Sequence, residues 1–156
     1  MDLKQLYQDI ILEHGKSPRN FGICKEFTHQ AKGYNPLCGD KVHVYLKLNK
    51  EKKVENLTFE GSGCAISMAS TSIMTESVKG KSLETAKEII IDFLNMIKKT
   101  QEIKSNNLDE DQKIKIMSLS GVTQYPMRVK CATLAWHTLT SAIEGNKDEI
   151  NSEATD

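Results

Sequence analysis

The chain has no cysteine pair at CxxC spacing, no long uninterrupted apolar run and no surplus of charge of either sign. Each absence removes a class. Without CxxC, cysteine spacing is a weak metal signal, so the setting of each cysteine must carry any case for ligation. The opening MDLKQLYQDIILEHG interrupts its apolar residues with charges, so neither a secretory signal nor a membrane span is expected there. With 21 basic and 21 acidic residues in 156, there is no basic field for nucleic acid or an anionic membrane. The expected partners are proteins or small ions, and the expected compartment is the cytoplasm. No repeat or low-complexity tract is found, and the HxE and PCxxC arrangement of zinc deaminases is missing.

What is present reads as one α+β domain over residues 1–145, followed by a frayed tail over 146–156. Leu3, Leu6, Tyr7, Ile10 and Ile11 keep helical spacing, with Gly15 and Pro18 as a stop. Phe27, His29 and Ala31 alternate with polar residues, as do Val42, Val44, Leu46 and Leu48, and Leu57 with Phe59 marks a third strand. The short connections predict an antiparallel meander. Ile66, Ala69, Ile73, Met74 and Val78 predict a helix after Cys64 that ends at Gly80. Ser82 is the expected N-cap of a longer helix through Ile97. The polar run KKTQEIKSNNLDEDQ reads as a surface excursion, followed by a short helix carrying Ile114, Met117 and Leu119 and ended by Gly121, and a last helix whose inner side includes Ala132, Trp136, Leu139 and Ile143, closed by Gly145. The expectation is a small three-stranded antiparallel sheet packed against about five helices.

Three cysteines sit at the ends of elements. Cys38 lies between Pro36 and Gly39, Cys64 follows the glycines of GSGC at a helix start, and Cys131 falls in the first turn of the last helix. Helix N-termini favour thiolates, so Cys64 and Cys131 suit metal donation. A single cysteine of this kind is as readily a small buried apolar residue. Asp40 shifts that balance, because a carboxylate beside Cys38 opposes thiolate activation. If the loop and the two helix starts converge, like charges about 4 Å apart repel by roughly 4 kcal/mol per pair at an effective dielectric near 20. Such a cluster requires a cation, and tetrahedral zinc accepts both sulfur and carboxylate oxygen. Arg128 or Lys130 is placed to offset the remaining charge. Cys24, in GICKEF, lacks these features and reads as structural. The scattered His14, His29, His43 and His137 read as ordinary surface or core histidines.

The blocks LYQDIILEHGKSPRNFG, NPLCGD, FEGSGCAISMASTSIMTESVKGKS and PMRVKCATLAWHTL, in this order along nearly the whole chain, resemble the SufU family of the IscU/NifU-like iron–sulfur assembly superfamily. The resemblance implies an IscU/SufE-like fold, with Cys38, Asp40, Cys64 and Cys131 at the four metal positions. Lys130 stands where IscU-type scaffolds carry a histidine, and the segment from Gly80 to Cys131 is long, both as in SufU proteins. The resemblance therefore implies a zinc-dependent sulfurtransferase that accepts persulfide sulfur from a SufS-type cysteine desulfurase and passes it to downstream Suf assembly proteins. Cys38 is the expected acceptor, the ligand released from zinc because it sits on a Pro/Gly-flanked loop that can swing, and Arg128 the expected stabiliser of the incoming persulfide. The alternative is a scaffold for an iron–sulfur cluster, with iron in place of zinc. A purely structural zinc domain is a further reading.

Overall fold

The computed structural model describes residues 2–99 and 101–155. The first helix, α1 (Leu3–Lys16), starts where the Asp2 carboxylate accepts the backbone N–H of Gln5 at 2.8 Å, a side-chain cap. A meander follows: β1 (His29–Asn35), β2 (Asp40–Leu48) and β3 (Val54–Ser62). Both pairings are antiparallel, as the short turns require. The inward residues Val42, Val44, Leu46, Leu57 and Phe59 make one buried face.

Helices α2 (Ala65–Val78) and α5 (Val129–Glu144) lie against that face. Gly33 allows the approach, because a Cβ there would stand 2.1 Å from Thr138 Oγ1 of α5. The predicted apolar stripe on α2 is only part of its surface. This helix is buried on nearly all sides, including Ser67, Ser70, Thr71, Ser72, Thr75 and Ser77. Several of these hydroxyls donate back to the helix's own carbonyls, such as Thr71 to Ser67 at 2.7 Å and Ser77 to Ile73 at 2.8 Å, so their burial leaves those groups paired. Small side chains let neighbouring elements come close without a wide apolar face. Helix α3 (Leu83–Lys99) covers the far side, and its Phe93 stacks on Trp136 of α5 with ring centroids 4.0 Å apart.

Three expectations are corrected. The polar run is not simply a surface excursion: Ile103 and Ser105 are buried, and the Ser105 N–H donates to the Asp92 carboxylate at 2.7 Å. Thr100, in the same run, lies outside the described residues. The next helix begins inside this run, ahead of Ile114. Asp109 and Gln112 form a reciprocal capping box that opens α4 (Glu110–Ser118). The chain then tightens into a 3-10 turn (Leu119–Gln124), where Gly121 packs against the Tyr7 ring with no room for a Cβ.

The tail expected to fray is docked over residues 150–154. Ile150–Asn151 form β4, a fourth strand that pairs in parallel with β1 and gives the order β3-β2-β1-β4. A 3-10 turn (Ser152–Ala154) follows, with Ser152 buried. Among the described residues no helix is long and apolar enough to cross a membrane.

Candidate metal centre

Asn35 and Asp40 face each other across the β1–β2 register, and residues 36–39 form the turn between them. The turn is closed by the Gly39 N–H donating to the Asn35 carbonyl at 2.8 Å, with Gly39 in the left-handed region at φ 73°. Cys38 thus stands, half-buried, at the tip of a tight turn whose ends are tied into strands. The Pro/Gly-flanked loop of the sequence is a four-residue turn with both ends in strands.

Asp40 is fully buried, and both its oxygens are engaged. Oδ1 accepts the backbone N–H of Cys64 at 2.8 Å, and Oδ2 accepts Asn35 Nδ2 at 3.0 Å. Gly63 makes the first contact possible: it adopts φ 140°, and a Cβ there would lie 2.3 Å from Oδ1. That region is open essentially to glycine alone. Cys64 caps α2, its sulfur accepting the Ser67 N–H at 3.4 Å.

Cys131, fully buried in the first turn of α5, has its sulfur 3.3 Å from that of Cys38 and 3.4 Å from Asn35 Nδ2. The ligand atoms of Cys38, Asp40 and Cys131 all lie within 4.8 Å of one another, the one such grouping of three or more among the described residues. Cys64 stands beside this trio, its sulfur facing the Cys131 thiol as an acceptor but outside the common 4.8 Å. That thiol contact, then the Ser67 N–H, draws the Cys64 pKa down to about 7 against the opposing burial and Asp40 charge. Cys131 is pushed up, first as the donor to Cys64 and then by burial.

The donor set suits a divalent ion. Two sulfurs and a carboxylate oxygen converge in a buried pocket, the carboxylate is oriented by two hydrogen bonds, and the sulfurs lie close without being bonded as a disulfide. Soft sulfur with one hard oxygen favours zinc or iron over magnesium or calcium.

Arg128 ends a short 3-10 turn (Pro126–Arg128) and points its guanidinium at the site, Nη1 lying 3.4 Å from Cys38 Sγ. Its pKa is raised, first by the bond to Cys131 and then by the Cys38 charge. Lys130 does the opposite. Its Nζ donates to the carbonyls of Ser152 at 2.6 Å and Thr155 at 3.1 Å, so it does not offset the charge of the sulfurs as expected. Cys24 is buried against Asn56, away from the trio.

Two residues near the site went unread in the sequence. Asn35 was visible inside NPLCGD, and pairing the two strands residue by residue would have set it opposite Asp40. Tyr7 was read only as part of an apolar stripe. Its phenol is pushed up to about 12 by burial and then by the charges of Tyr125 and Cys64, and its ring lines a cleft with Tyr125 and Arg128.

The domain family described as NifU-like N terminal domain matches residues 6–132. The chain belongs to this family. It is 39% identical over 142 residues to the zinc-dependent sulfurtransferase SufU of Bacillus subtilis (strain 168), covering 91% of this chain and 92% of that protein. It is 36% identical over 142 residues to the iron–sulfur cluster assembly scaffold protein IscU of Streptococcus pyogenes serotype M1, covering 91% and 85%. Among solved structures, an iron–sulfur cluster assembly scaffold protein for the SUF system from Fervidobacterium islandicum AW-1 superposes with a TM-score of 0.77 at 34% identity, over 89% of this chain and 97% of that one. The expected α+β architecture stands, with four strands in place of three.

Proposed function

We propose that this NifU-like protein is a zinc-dependent sulfurtransferase of iron–sulfur cluster assembly. It accepts persulfide sulfur from a SufS-type cysteine desulfurase in the cytoplasm and hands it to downstream Suf assembly proteins. The observation that carries this reading is the convergence of Cys38, Asp40 and Cys131, in which Cys38 alone of the three reaches the surface. Cys38, Asp40, Cys64 and Cys131 are the proposed zinc ligands. When bound, zinc keeps the thiols deprotonated near neutral pH and shields them from oxidation.

Cys38 is the proposed acceptor. Its thiolate attacks the outer sulfur of the desulfurase persulfide, a new S–S bond forms at Cys38, the donor's S–S bond breaks, and the donor cysteine departs as a thiolate. The proton of the terminal sulfhydryl travels with the transferred sulfur. Arg128, 3.4 Å from Cys38 Sγ, steadies the negative charge through the exchange. Cys64 and Cys131 stay behind, anchored at the starts of α2 and α5, while Asp40 is held by Asn35 and the Cys64 N–H.

The test is Cys38→Ser in full-length protein, with zinc content and stimulation of a SufS-type desulfurase measured together. Lost stimulation is expected, and full stimulation would remove Cys38 as acceptor. The similarity to scaffold-named relatives supports a second reading, in which the same ligands hold a cluster. Protein purified without oxygen separates the two: colourless and zinc-loaded for the first, brown with iron and sulfide for the second.

A further inference from the structure

Asn35 ends β1 fully buried, and its amide is used at both ends. Nδ2 donates to Asp40 Oδ2 at 3.0 Å and to Cys131 Sγ at 3.4 Å, while Oδ1 accepts the Ser152 hydroxyl at 2.8 Å. The reversed amide would turn its oxygen toward a carboxylate and a sulfur, both acceptors. The two proposed ligands therefore dictate one end of the amide and Ser152 the other.

Ser152 is 117 residues away in sequence and reaches this position only because its segment is docked. Gly33 and Tyr34 pair with Ile150 and Asn151 as β4 runs beside β1. Asn151 caps the following turn by accepting the Glu153 N–H at 2.9 Å. Lys130, immediately before Cys131, then grips the Ser152 and Thr155 carbonyls. A cation next to a proposed ligand is thus committed to the segment and not to the sulfurs. Two paths join residues 150–155 to the site: one through Ser152 and Asn35, the other through Lys130 to the first turn of α5.

We propose that residues 150–155 form a latch, fastened by Lys130, that acts through Ser152 and Asn35 to fix Asp40 and Cys131, and so sets how tightly the site holds its divalent ion and how well Cys131 is shielded. Asn35, Ser152 and Lys130 are positioning residues. Partners that orient metal ligands typically contribute 10- to 100-fold to metal affinity, which sets the scale. The affinity arm rests on the proposed zinc reading; the shielding arm does not.

The experiment compares full-length wild type with Ser152→Ala, Lys130→Met and Lys130→Arg. Zinc affinity is read by competition with a chromogenic chelator. In zinc-free protein, iodoacetamide labelling of Cys131 and Cys24 is followed by peptide mass spectrometry. Ser152→Ala and Lys130→Met are each expected to weaken zinc about tenfold and to speed Cys131 labelling by a similar factor, while Lys130→Arg stays close to wild type. The double variant should add little to the worse single one, since both changes open the same latch. Cys24 is the control for general loosening, being buried elsewhere against Asn56. Unchanged zinc affinity and Cys131 labelling in both variants overturns the latch, as does equal acceleration at Cys24. Wild type that takes up no zinc sinks the zinc reading instead, and the ratio of Cys131 to Cys24 labelling then decides the latch by itself.

Discussion

Substituting Gly63 by alanine should damage the site while leaving every proposed ligand's identity unchanged. Gly63 adopts φ 140°, and its new Cβ would stand 2.3 Å from Asp40 Oδ1, 2.8 Å from Asp40 Cα and 3.0 Å from Asp40 Cβ. Ordinary contact begins near ~3.5 Å, so Asp40 must move, backbone included. Gly22 offers a matched control, with φ 134° and nothing within 4 Å of an added Cβ. Both alanine variants bear the backbone strain, about 1–3 kcal/mol. Only Gly63→Ala also breaks the bond from the Cys64 N–H to the buried Asp40 carboxylate, worth about 1.5–3 kcal/mol for a charged acceptor. At about 2–4 °C per kcal/mol for a chain of this size, Gly63→Ala should melt about 3–12 °C below Gly22→Ala. Circular dichroism of both proteins with excess chelator reads this free of metal. Equal melting temperatures would refute the argument that Gly63 exists to let Asp40 approach.

Asp40→Ala leaves the Cys64 N–H without its acceptor, at about 1–3 kcal/mol, leaves the Asn35 amide only Cys131 Sγ, and should loosen zinc in a chelator competition. Unchanged affinity removes Asp40 from the ligand set. Trp136→Ala empties the space beside Phe93 and frees the Ser70 hydroxyl that accepts its indole N–H at 2.9 Å, and should lower unfolding free energy in urea by about 3–5 kcal/mol. Fully buried His14, bonded to Ser72, has its pKa lowered first by burial and then by Arg19, with Lys115 also opposing its charge and Glu76 and Glu13 favouring it. Above the ordinary histidine range it contributes no pH dependence. As pH falls through about 6.5 the unfolded chain takes a proton that the fold resists, so stability falls until the lower folded pKa is passed. His14→Gln should flatten that part of the stability profile, and an unchanged slope in urea melts at pH 5 to 7 assigns it elsewhere.

Legibility in the sequence followed the range of the interactions. The clean alternation of Val42, Val44, Leu46 and Leu48 predicted β2, and the glycines before Cys64 predicted its place at a helix start, because both are local patterns. Strand β4 was hidden. Two residues in parallel pairing, inside the polar run NKDEINSEATD, bury too little apolar surface to leave a period, and the contact that holds them spans most of the chain. The direction of Lys130 was hidden for the same reason: a basic residue beside a cysteine invites an electrostatic reading until the carbonyls of the docked segment are seen. The start of α4 was legible and passed over, since Asp109 and Gln112 spell a capping box within a stretch judged by its polarity. The site itself was legible as residue types, and its three-dimensional grouping only in part, with Cys64 beside the trio and not within it.

The turn that carries Cys38 is only four residues long and both of its ends are strand. Its reach is that of a thumb on a fixed hand: the sulfur sweeps a small arc and no more. On the proposed sulfurtransferase reading, a sulfur donor must then bring its reactive group to Cys38, and the next acceptor must approach the same side chain. One half-buried side chain would then serve both exchanges, so on that reading donor and acceptor engage it in turn.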